Sequence, residues 1–286
     1  MFKIRKPEYF MQSETIKSEK TLHEQIVIFL DILGFKQLVL EASKDDSKAA
    51  ALDKALTKID ELNWGSAIGD PVNIVIFSDS IIISFDPDLV ILHQVIDRLC
   101  MAVWDLMVEG IFMRGGISKG LLSTKPQRPW GPAFINAYET ETNLAVHPRI
   151  VLSKSFFNWM KTHKNWENSF QPDCPPEFAS YKRDENDGVY FLDVVARGLF
   201  KITKQSFTYG TEQGLKKIKA HLDFGIEQAI TNPRVYAKYK WLCREWDRSL
   251  AHQQSDNPYL EPFYTNVRQM SAGDFSIATL PKLPEA

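Results

Sequence analysis

The chain has 286 residues, of which 44% are hydrophobic and 24% charged, a composition that suits one large globular domain or a domain with an added lobe. Its formal net charge of −2 offers no basic surface to nucleic acid or anionic lipid. The three scattered cysteines fit neither a disulfide framework nor a zinc site, and no apolar run is long enough to span a bilayer. We therefore expect a soluble cytoplasmic protein without a membrane or nucleic-acid partner.

The pattern along the chain begins with a polar arm, residues 1–22, which we expect to be loosely ordered. The first strand is predicted over Gln25–Asp31, because a continuous apolar run is typical of a strand covered on both faces. Later strands are predicted at 72–77, 81–85, 111–118, 149–152 and 189–195. Helices are predicted at 35–42, 47–62, 88–110, 131–144, 155–163, 212–231 and 234–252. Residues 165–187, rich in Pro, Asp and Asn, predict a long surface excursion.

This order of elements indicates an α+β fold. A strand, helices, a hairpin, a helix, a strand, a helix and a strand favour a ferredoxin-like core with a mixed or antiparallel sheet and helices on one face. We assign this core to residues 23–200 and a C-terminal helical extension to residues 201–286. Four aromatic residues of the extension are expected to pack in the core or at a dimer contact. They are Tyr236, Tyr239, Trp241 and Trp246.

Two aspartates stand at positions where carboxylates serve metal chemistry. Asp31 ends the first strand just before a glycine turn at Gly34, and Asp79 lies at the tip of the predicted hairpin. Taken alone, Asp31 could cap a helix and Asp79 could serve only the turn. In the predicted core their strands are neighbours, so both carboxylates converge. Such a pair can hold two hard cations for phosphoryl chemistry.

Arg114 lies within an otherwise apolar strand, and burying it without an anion would be costly. Its partner is either a core carboxylate in a structural salt bridge or a phosphate, which its planar fork suits. Gly115 and Gly116 follow and allow a backbone or a ligand to approach closely. A further cluster runs from Trp130 to Glu141. There Asn136, Tyr138 and Glu139 could face a cleft, although packing of Tyr138 and solvation of Glu139 fit equally well.

Several of these motifs together resemble class III adenylyl and guanylyl cyclases. The segment Phe29–Phe35 is similar to their first metal motif, Asp79 to their second metal ligand, and Arg114–Gly120 to their Arg-x-Gly-Ile-x-x-Gly strand. Gly131–Glu141 falls where their catalytic helix begins. The motifs occur in the family's order.

The resemblance implies two Mn²⁺ or Mg²⁺ ions per site, held by Asp31, Asp79 and the Ile32 carbonyl. It also implies a phosphate cradle of backbone amides at Leu33, Gly34 and Phe35. Arg114 would pair with the triphosphate.

The chain departs from the purine cyclases at several positions. Ser78 replaces the glycine before the second aspartate, and Ile135 and Glu139 replace the transition-state asparagine and arginine. The base-selecting positions hold Val75 and Arg128, which match neither the adenine nor the guanine pattern.

With these departures, the motifs look like the pyrimidine cyclases of Pycsar antiphage defence systems. That resemblance implies homodimers that convert UTP or CTP to cyclic UMP or cyclic CMP, with a downstream cyclic-nucleotide effector protein. We favour UTP, because arginine donors suit its carbonyl acceptors and aromatics such as Trp64 or Trp130 would crowd a purine.

Two alternatives remain open. The missing asparagine and arginine are also compatible with a non-catalytic cyclase-like module that senses nucleotides or binds a partner. A polymerase-like palm would share the paired aspartates on a similar sheet, but near-neutral charge and the lack of a basic groove disfavour it.

Overall fold

The computed structural model describes residues 21–60, 72–123, 128–164, 181–204, 209–254, 258–265 and 267. The predicted arm up to residue 20, Trp64, residues 165–180 of the predicted excursion and residues 268–286 lie outside this part of the chain. The strands are β1 (Leu22–Ile32), β2 (Asn73–Phe77), β3 (Ser80–Phe85), β4 (Met113–Ser123), β5 (Ile150–Leu152), β6 (Tyr181–Arg183) and β7 (Tyr190–Leu192). The helices are α1 (Phe35–Ala42), α2 (Asp46–Asp60), α3 (Leu89–Val108), α4 (Pro132–Leu144), α5 (Lys154–Met160), α6 (Val194–Lys204), α7 (Tyr209–Gln228), α8 (Pro233–Gln254) and a 3-10 helix at Pro258–Phe263.

The seven strands form one sheet in the order β2-β3-β1-β4-β5-β7-β6. Its first four strands are antiparallel neighbours. β1 and β2, which α1 and α2 connect, are separated in the sheet by β3, and β3 and β4, which α3 connects, are separated by β1. This is the ferredoxin-like arrangement. The predicted α+β fold is confirmed, and the parallel pairing of β5 with β4 makes the sheet mixed.

Helices cover both faces of the sheet because β1 carries apolar side chains on both sides. Ile26, Ile28 and Leu30 are buried in the larger core, which includes residues of α3, α7 and α8. Val27 and Phe29 alternate with them and pack against α4 in a smaller cluster. The prediction of helices on one face is therefore wrong, since in the described part of the chain α4 packs on the opposite face.

The C-terminal helices share the larger core with the sheet. Trp246 of α8 is fully buried and stacks on Trp104 of α3, with ring centroids 5.8 Å apart. Its indole nitrogen donates a hydrogen bond to the Phe263 carbonyl at 2.9 Å. Of the two roles that the sequence allowed for these aromatics, Trp241 and Trp246 take core packing. Among the described helices, none combines the length and apolar composition needed to cross a membrane.

A buried polar contact also attaches α8 to the far edge of the sheet. The Arg149 guanidinium lies 2.8 Å from the Asp184 carboxylate, which also accepts a hydrogen bond from the Trp241 indole at 2.6 Å. Burial alone would raise the pKa of Asp184, but hydrogen bonds from Asn186 and Trp241 and the charge of Arg149 lower it to about 2. We call this the Arg149–Asp184–Trp241 contact.

The structure corrects the sequence prediction around the last strands. The prediction of one strand over 189–195 is wrong, because β7 ends at Leu192 and α6 begins at Val194. The Asp193 carboxylate accepts a hydrogen bond from the Ala196 amide at 3.1 Å and so caps α6. Apolar residues continue across this break and hide it. β6 lies within the predicted excursion, and β4 runs on to Ser123 because it pairs with β1 along its whole length.

Gly116 of β4 marks a close approach of α4 to the sheet. A Cβ atom added at Gly116 would lie 2.2 Å from the Ala137 carbonyl oxygen and 2.9 Å from the Glu141 amide nitrogen. Both atoms belong to the backbone of α4, so the helix itself would have to move. The prediction that Gly115 and Gly116 permit a close backbone approach is confirmed.

We expect Gly116→Ala to lower the free energy of unfolding by about 1–3 kcal/mol, the usual range for overpacking a tight contact. Gly120→Ala is the matched control on the same strand, because an added Cβ there meets only Ala133, at 3.6 Å. Urea denaturation of both variants measures the difference. Equal stabilities would contradict the tight approach of α4 at Gly116.

Candidate active site

Asp31 and Asp79, the two aspartates predicted to converge, lie at the same edge of the sheet. Asp31 stands opposite Ser80 of β3 and opposite Arg114 of β4. The Ile32 amide donates a hydrogen bond to the Asp79 carbonyl at 3.1 Å, which ties the hairpin tip to the end of β1. Burial is the main cause of the raised pKa of Asp31, and the charge of Asp79 raises it further.

The turn that presents Asp79 has a backbone conformation that favours glycine. Ser78 has φ of 58°, in the left-handed region. Serine at this position preserves the turn at a cost in backbone strain. Such strain is typically on the order of 1–3 kcal/mol and is tolerated where the surrounding structure enforces it.

The predicted phosphate cradle is formed by the turn between β1 and α1. Gly34 has φ of 75° and caps α1 without a side-chain hydrogen bond. The Leu33 amide donates to the Phe112 carbonyl at 2.8 Å, so it is committed within the protein and not directed at a ligand. The amides of Gly34 and Phe35 make no such backbone bond to any described residue. Of the three predicted cradle amides, these two suit an anion.

Arg114 pairs with two carboxylates. Its Nε–H donates to Asp31 Oδ2 at 2.9 Å, and the same nitrogen lies 2.8 Å from Glu141 Oε1 of α4. Nε carries one hydrogen, and that hydrogen points at Asp31. Glu141 Oε1 is therefore buried without a hydrogen-bond donor among the described residues, although it lies within ion-pair distance of the guanidinium. The structure thus shows the structural salt bridge that the sequence allowed. Arg114 pairs with two carboxylates, Asp31 and Glu141, where the sequence predicted one partner.

The electrostatics of the site are those of two carboxylates sharing one guanidinium. Burial is the largest influence on both Asp31 and Glu141, and it raises their pKa values against the opposing effect of Arg114. Glu141 has only 3% of its side chain exposed, so its charge depends on the cations around it. Lys238 of α8 is a second such cation, and it lowers the pKa values of Asp31 and Glu141.

Sequence reasoning missed the roles of Glu141 and Lys238. Glu141 had a signal, because it continues the buried stripe formed by Ala133 and Ala137 at helical spacing. A carboxylate on such a stripe needs a buried cation. No sequence signal pointed to Lys238, because the sequence does not tell which side of α8 faces the end of β1.

The other predicted residues of α4 do not reach the aspartates. Asn136 donates to the Ser155 hydroxyl at 3.2 Å, and Tyr138 packs edge-on against Phe29 with ring centroids 5.4 Å apart. Ile135 and Glu139, which replace the family's asparagine and arginine, are exposed on the outer side of the helix.

The proposed base-selecting positions are not brought together by any described contact. Val75 packs in the small cluster beneath α4. Arg128 and Trp130 are exposed, whereas Trp64 lies outside the described residues.

The donor set fits a hard divalent cation. Asp31, Asp79 and the Ile32 carbonyl offer oxygen ligands, which Mg²⁺ and Mn²⁺ prefer. Arg114 engages one oxygen of Asp31 and leaves the other. Within the described ranges, no group of three or more His, Cys, Asp or Glu side chains is arranged to hold a metal, so a bound ion would need backbone, water or substrate oxygens as well.

The chain matches no protein-family model and no curated protein sequence. Part of it is similar to solved structures of adenylyl and guanylyl cyclases. The adenylyl cyclase CyaB from P. aeruginosa is 16% identical over 49% of this chain and 82% of that chain, with a TM-score of 0.40. The guanylyl cyclase domain of the RhoGC fusion protein from the aquatic fungus Blastocladiella emersonii is 17% identical over 60% and 98%, with a TM-score of 0.37. A bacterial light-regulated adenylyl cyclase is 14% identical over 66% and 100%, with a TM-score of 0.39. This likeness is distant, so function is inferred from the chain's own side chains.

Arg114→Met removes the cation that Asp31 and Glu141 share and leaves Glu141 buried beside like charge. We expect the free energy of unfolding to fall by about 2–3 kcal/mol at neutral pH, less than for a fully buried pair because Arg114 is partly exposed. Denaturant unfolding measures this loss. Adding Glu141→Gln to Arg114→Met should recover most of it, and an equally unstable double variant would contradict the shared ion pair.

The same variant should also respond to pH. Loss of Arg114 raises the folded-state pKa values of both carboxyl groups further above their unfolded values. At pH values between the unfolded-state and folded-state pKa values, the folded variant binds more protons than its unfolded chain. The free energy of unfolding of the variant therefore falls as the pH rises through this range. Its deficit relative to the original chain should be larger at about pH 8 than at about pH 5.

Proposed function

We propose that this chain is a pyrimidine nucleotide cyclase that converts UTP, and CTP less well, to the 3′,5′-cyclic monophosphate and pyrophosphate. The observation that carries this proposal is the convergence of Asp31, Asp79 and Arg114 at the end of β1, next to the amides of Gly34 and Phe35, which make no backbone hydrogen bond to a described residue. A polyphosphate needs this combination of hard oxygen ligands, a guanidinium and backbone donors. The roles of the site residues, and the metal ions that they would hold, are those that the sequence predicts.

In this reaction the ribose 3′-hydroxyl loses its proton to solvent water and attacks the α-phosphorus, the bond from the α-phosphorus to the bridging oxygen breaks, and pyrophosphate leaves with that oxygen. Divalent cations held by Asp31, Asp79 and the Ile32 carbonyl would lower the pKa of the 3′-hydroxyl and neutralise phosphate charge. The amides of Gly34 and Phe35 would donate to phosphate oxygens. Catalysis then depends mainly on positioning and on charge stabilisation.

Arg114 has to exchange partners for this chemistry. A cation held by Asp31 would neutralise that carboxylate and weaken its attraction for the guanidinium, which would leave Arg114 available to the phosphate chain. Glu141 stays within ion-pair distance of Nε and would hold the guanidinium at the site during the exchange. We assign Glu141 the role of a positioning residue.

The pyrimidine assignment depends on Val75 and Arg128 and on the resemblance to the Pycsar cyclases. The resemblance implies that these positions lack the polar groups that match a purine edge, and each buried purine donor or acceptor left unpaired would cost about 1–3 kcal/mol. The same resemblance suggests a cytoplasmic second-messenger enzyme in antiphage defence that acts through a cyclic-nucleotide effector.

The alternative is a cyclase-like module that binds nucleotides without turnover. What favours it is that Ile135 and Glu139, both exposed on α4, lack the amide and the guanidinium that would stabilise a transition state.

Asp31→Asn and Asp79→Asn should each lower cyclisation of UTP by at least about a hundredfold, because each removes a charge that stabilises the reacting phosphates. The assay supplies each of the four nucleoside triphosphates with Mn²⁺ and identifies the products by mass spectrometry. The order of turnover should be UTP, then CTP, then the purines.

Asp53→Asn is the matched control, since Asp53 is exposed on α2 and should not affect turnover. Near-normal activity of either site variant would refute the two-metal assignment. Equal use of ATP or GTP would refute the pyrimidine assignment, and nucleotide binding without any product would favour the non-catalytic alternative.

The exposed apolar surface beside α4 suits a second copy of the chain. Phe77 is 79% exposed and lies on the same side of β2 as Val75 of the small cluster. Ile135 and Tyr138 of α4 are 55% and 48% exposed. We propose that this surface is the interface of a two-fold homodimer, in which the partner completes each site.

Phe77→Asp should convert the dimer to a monomer and reduce turnover, because it places a charge in an apolar interface. Phe224→Asp is the control, since Phe224 is 63% exposed on α7, which packs on the other face of the sheet. Light scattering of all three proteins measures the mass. An active monomer of the unmodified chain would rule out the dimer.

A further inference from the structure

Lys238 belongs to the C-terminal helices, yet it lies beside the candidate active site. Its neighbour Tyr239 packs edge-on against Phe112, with ring centroids 5.8 Å apart. The Phe112 carbonyl accepts the hydrogen bond from the Leu33 amide at 2.8 Å. Two contacts thus connect the first turns of α8 to the turn that follows Asp31.

The packing of α8 at this point is tight. Gly225 of α7 lies against the Tyr239 ring, and a Cβ atom at Gly225 would be 2.0 Å from it. Such a contact leaves Tyr239 little freedom, because the space beside its ring admits only a glycine. Lys238 directly precedes Tyr239, so the backbone from which its side chain extends is held at the same point of α8.

The charges around Lys238 agree with this placement. Burial lowers the pKa of Lys238 most, and the charge of Arg114 lowers it further, whereas Asp31 and Glu141 oppose both. Arg114, Asp31 and Glu141 are all charged residues of the candidate site. The side chain of Lys238 is only partly exposed, so these charges act on it with less screening than at the surface.

Lys238 lies close to the site but forms no ion pair with the site's carboxylates among the described residues. Arg114 already pairs with Asp31 and Glu141. In the described part of the chain, no carboxylate lies within 4.0 Å of the Lys238 ammonium. A half-buried ammonium that is held near anions and paired with none can bind an incoming anion.

We propose that Lys238 binds the phosphate chain of the nucleoside triphosphate, as a cation that α8 contributes to the site. This inference rests on the proposed function. An ammonium suits the role because it acts as a compact point charge with three donors and can follow a flexible polyphosphate. The C-terminal helices would thus complete the substrate site as well as the core.

The test measures binding of inorganic tripolyphosphate with Mg²⁺ by titration calorimetry. Lys238→Met removes the charge and keeps the aliphatic stem, and it should weaken binding by about tenfold or more. Lys238→Arg should retain most of the affinity. Lys240→Met is the control, because Lys240 is an exposed lysine of the same helix. If the Met variant unfolds on heating earlier than the control, Lys238→Gln provides the same comparison.

The outcomes separate this inference from the proposed function. Tripolyphosphate affinity lost in Lys238→Met and kept in Lys238→Arg supports the phosphate role, even if no nucleotide is cyclised. If UTP is cyclised but Lys238→Met leaves both tripolyphosphate affinity and KM for UTP unchanged, the inference is wrong and the cyclase proposal stands. Failure of the unmodified chain to bind tripolyphosphate with Mg²⁺ would also overturn it.

Discussion

The site at the end of β1 depends on one electrostatic constraint, which is that two partly or fully buried carboxylates have a single guanidinium between them. Asp31 comes from the sheet and Glu141 from α4, so the ion pair with Arg114 forms only if the helix lies very close to β4. Gly116 makes that distance possible, since any side chain there would strike the backbone of α4. The small residues Ala133 and Ala137 serve the same approach from the helix side.

This constraint gives the site a surplus of negative charge before a substrate arrives. Asp31 and Glu141 interact with Arg114 and Lys238, Asp79 adds a third carboxylate near Asp31, and the polyphosphate of the proposed substrate would add further anions. Under the proposed function, cations would have to offset this charge, and the oxygen ligands at the end of β1 are suited to hold them. Cation and polyphosphate would then bind cooperatively, because each neutralises the charge that repels the other.

Much of the fold could be predicted from the sequence because local signals agree with the topology. The apolar run of β1, the short Ser78-Asp79-Ser80 break and the long apolar face of α3 each have one plausible interpretation, and together they order the ferredoxin-like strands. Convergence of Asp31 and Asp79 follows from that order alone. By contrast, the face of α8 that meets the site is set by long-range packing such as Tyr239 on Phe112, and no local pattern encodes it. The start of α6 was missed because apolar residues continue across its Asp193 cap.

Because the C-terminal helices and the sheet share one core, the chain cannot be cut between them without exposing buried residues. Trp246 stacks on Trp104, and the Arg149–Asp184–Trp241 contact fastens α8 to the edge of the sheet. A chain cut after residue 200 would end inside α6 and expose the apolar face of α3 to water. It would also leave the buried Asp184 and Arg149 without the indole that shields them. The C-terminal helices are therefore not an exchangeable module, and insertions or fusions are better tolerated at the loops that connect the peripheral elements.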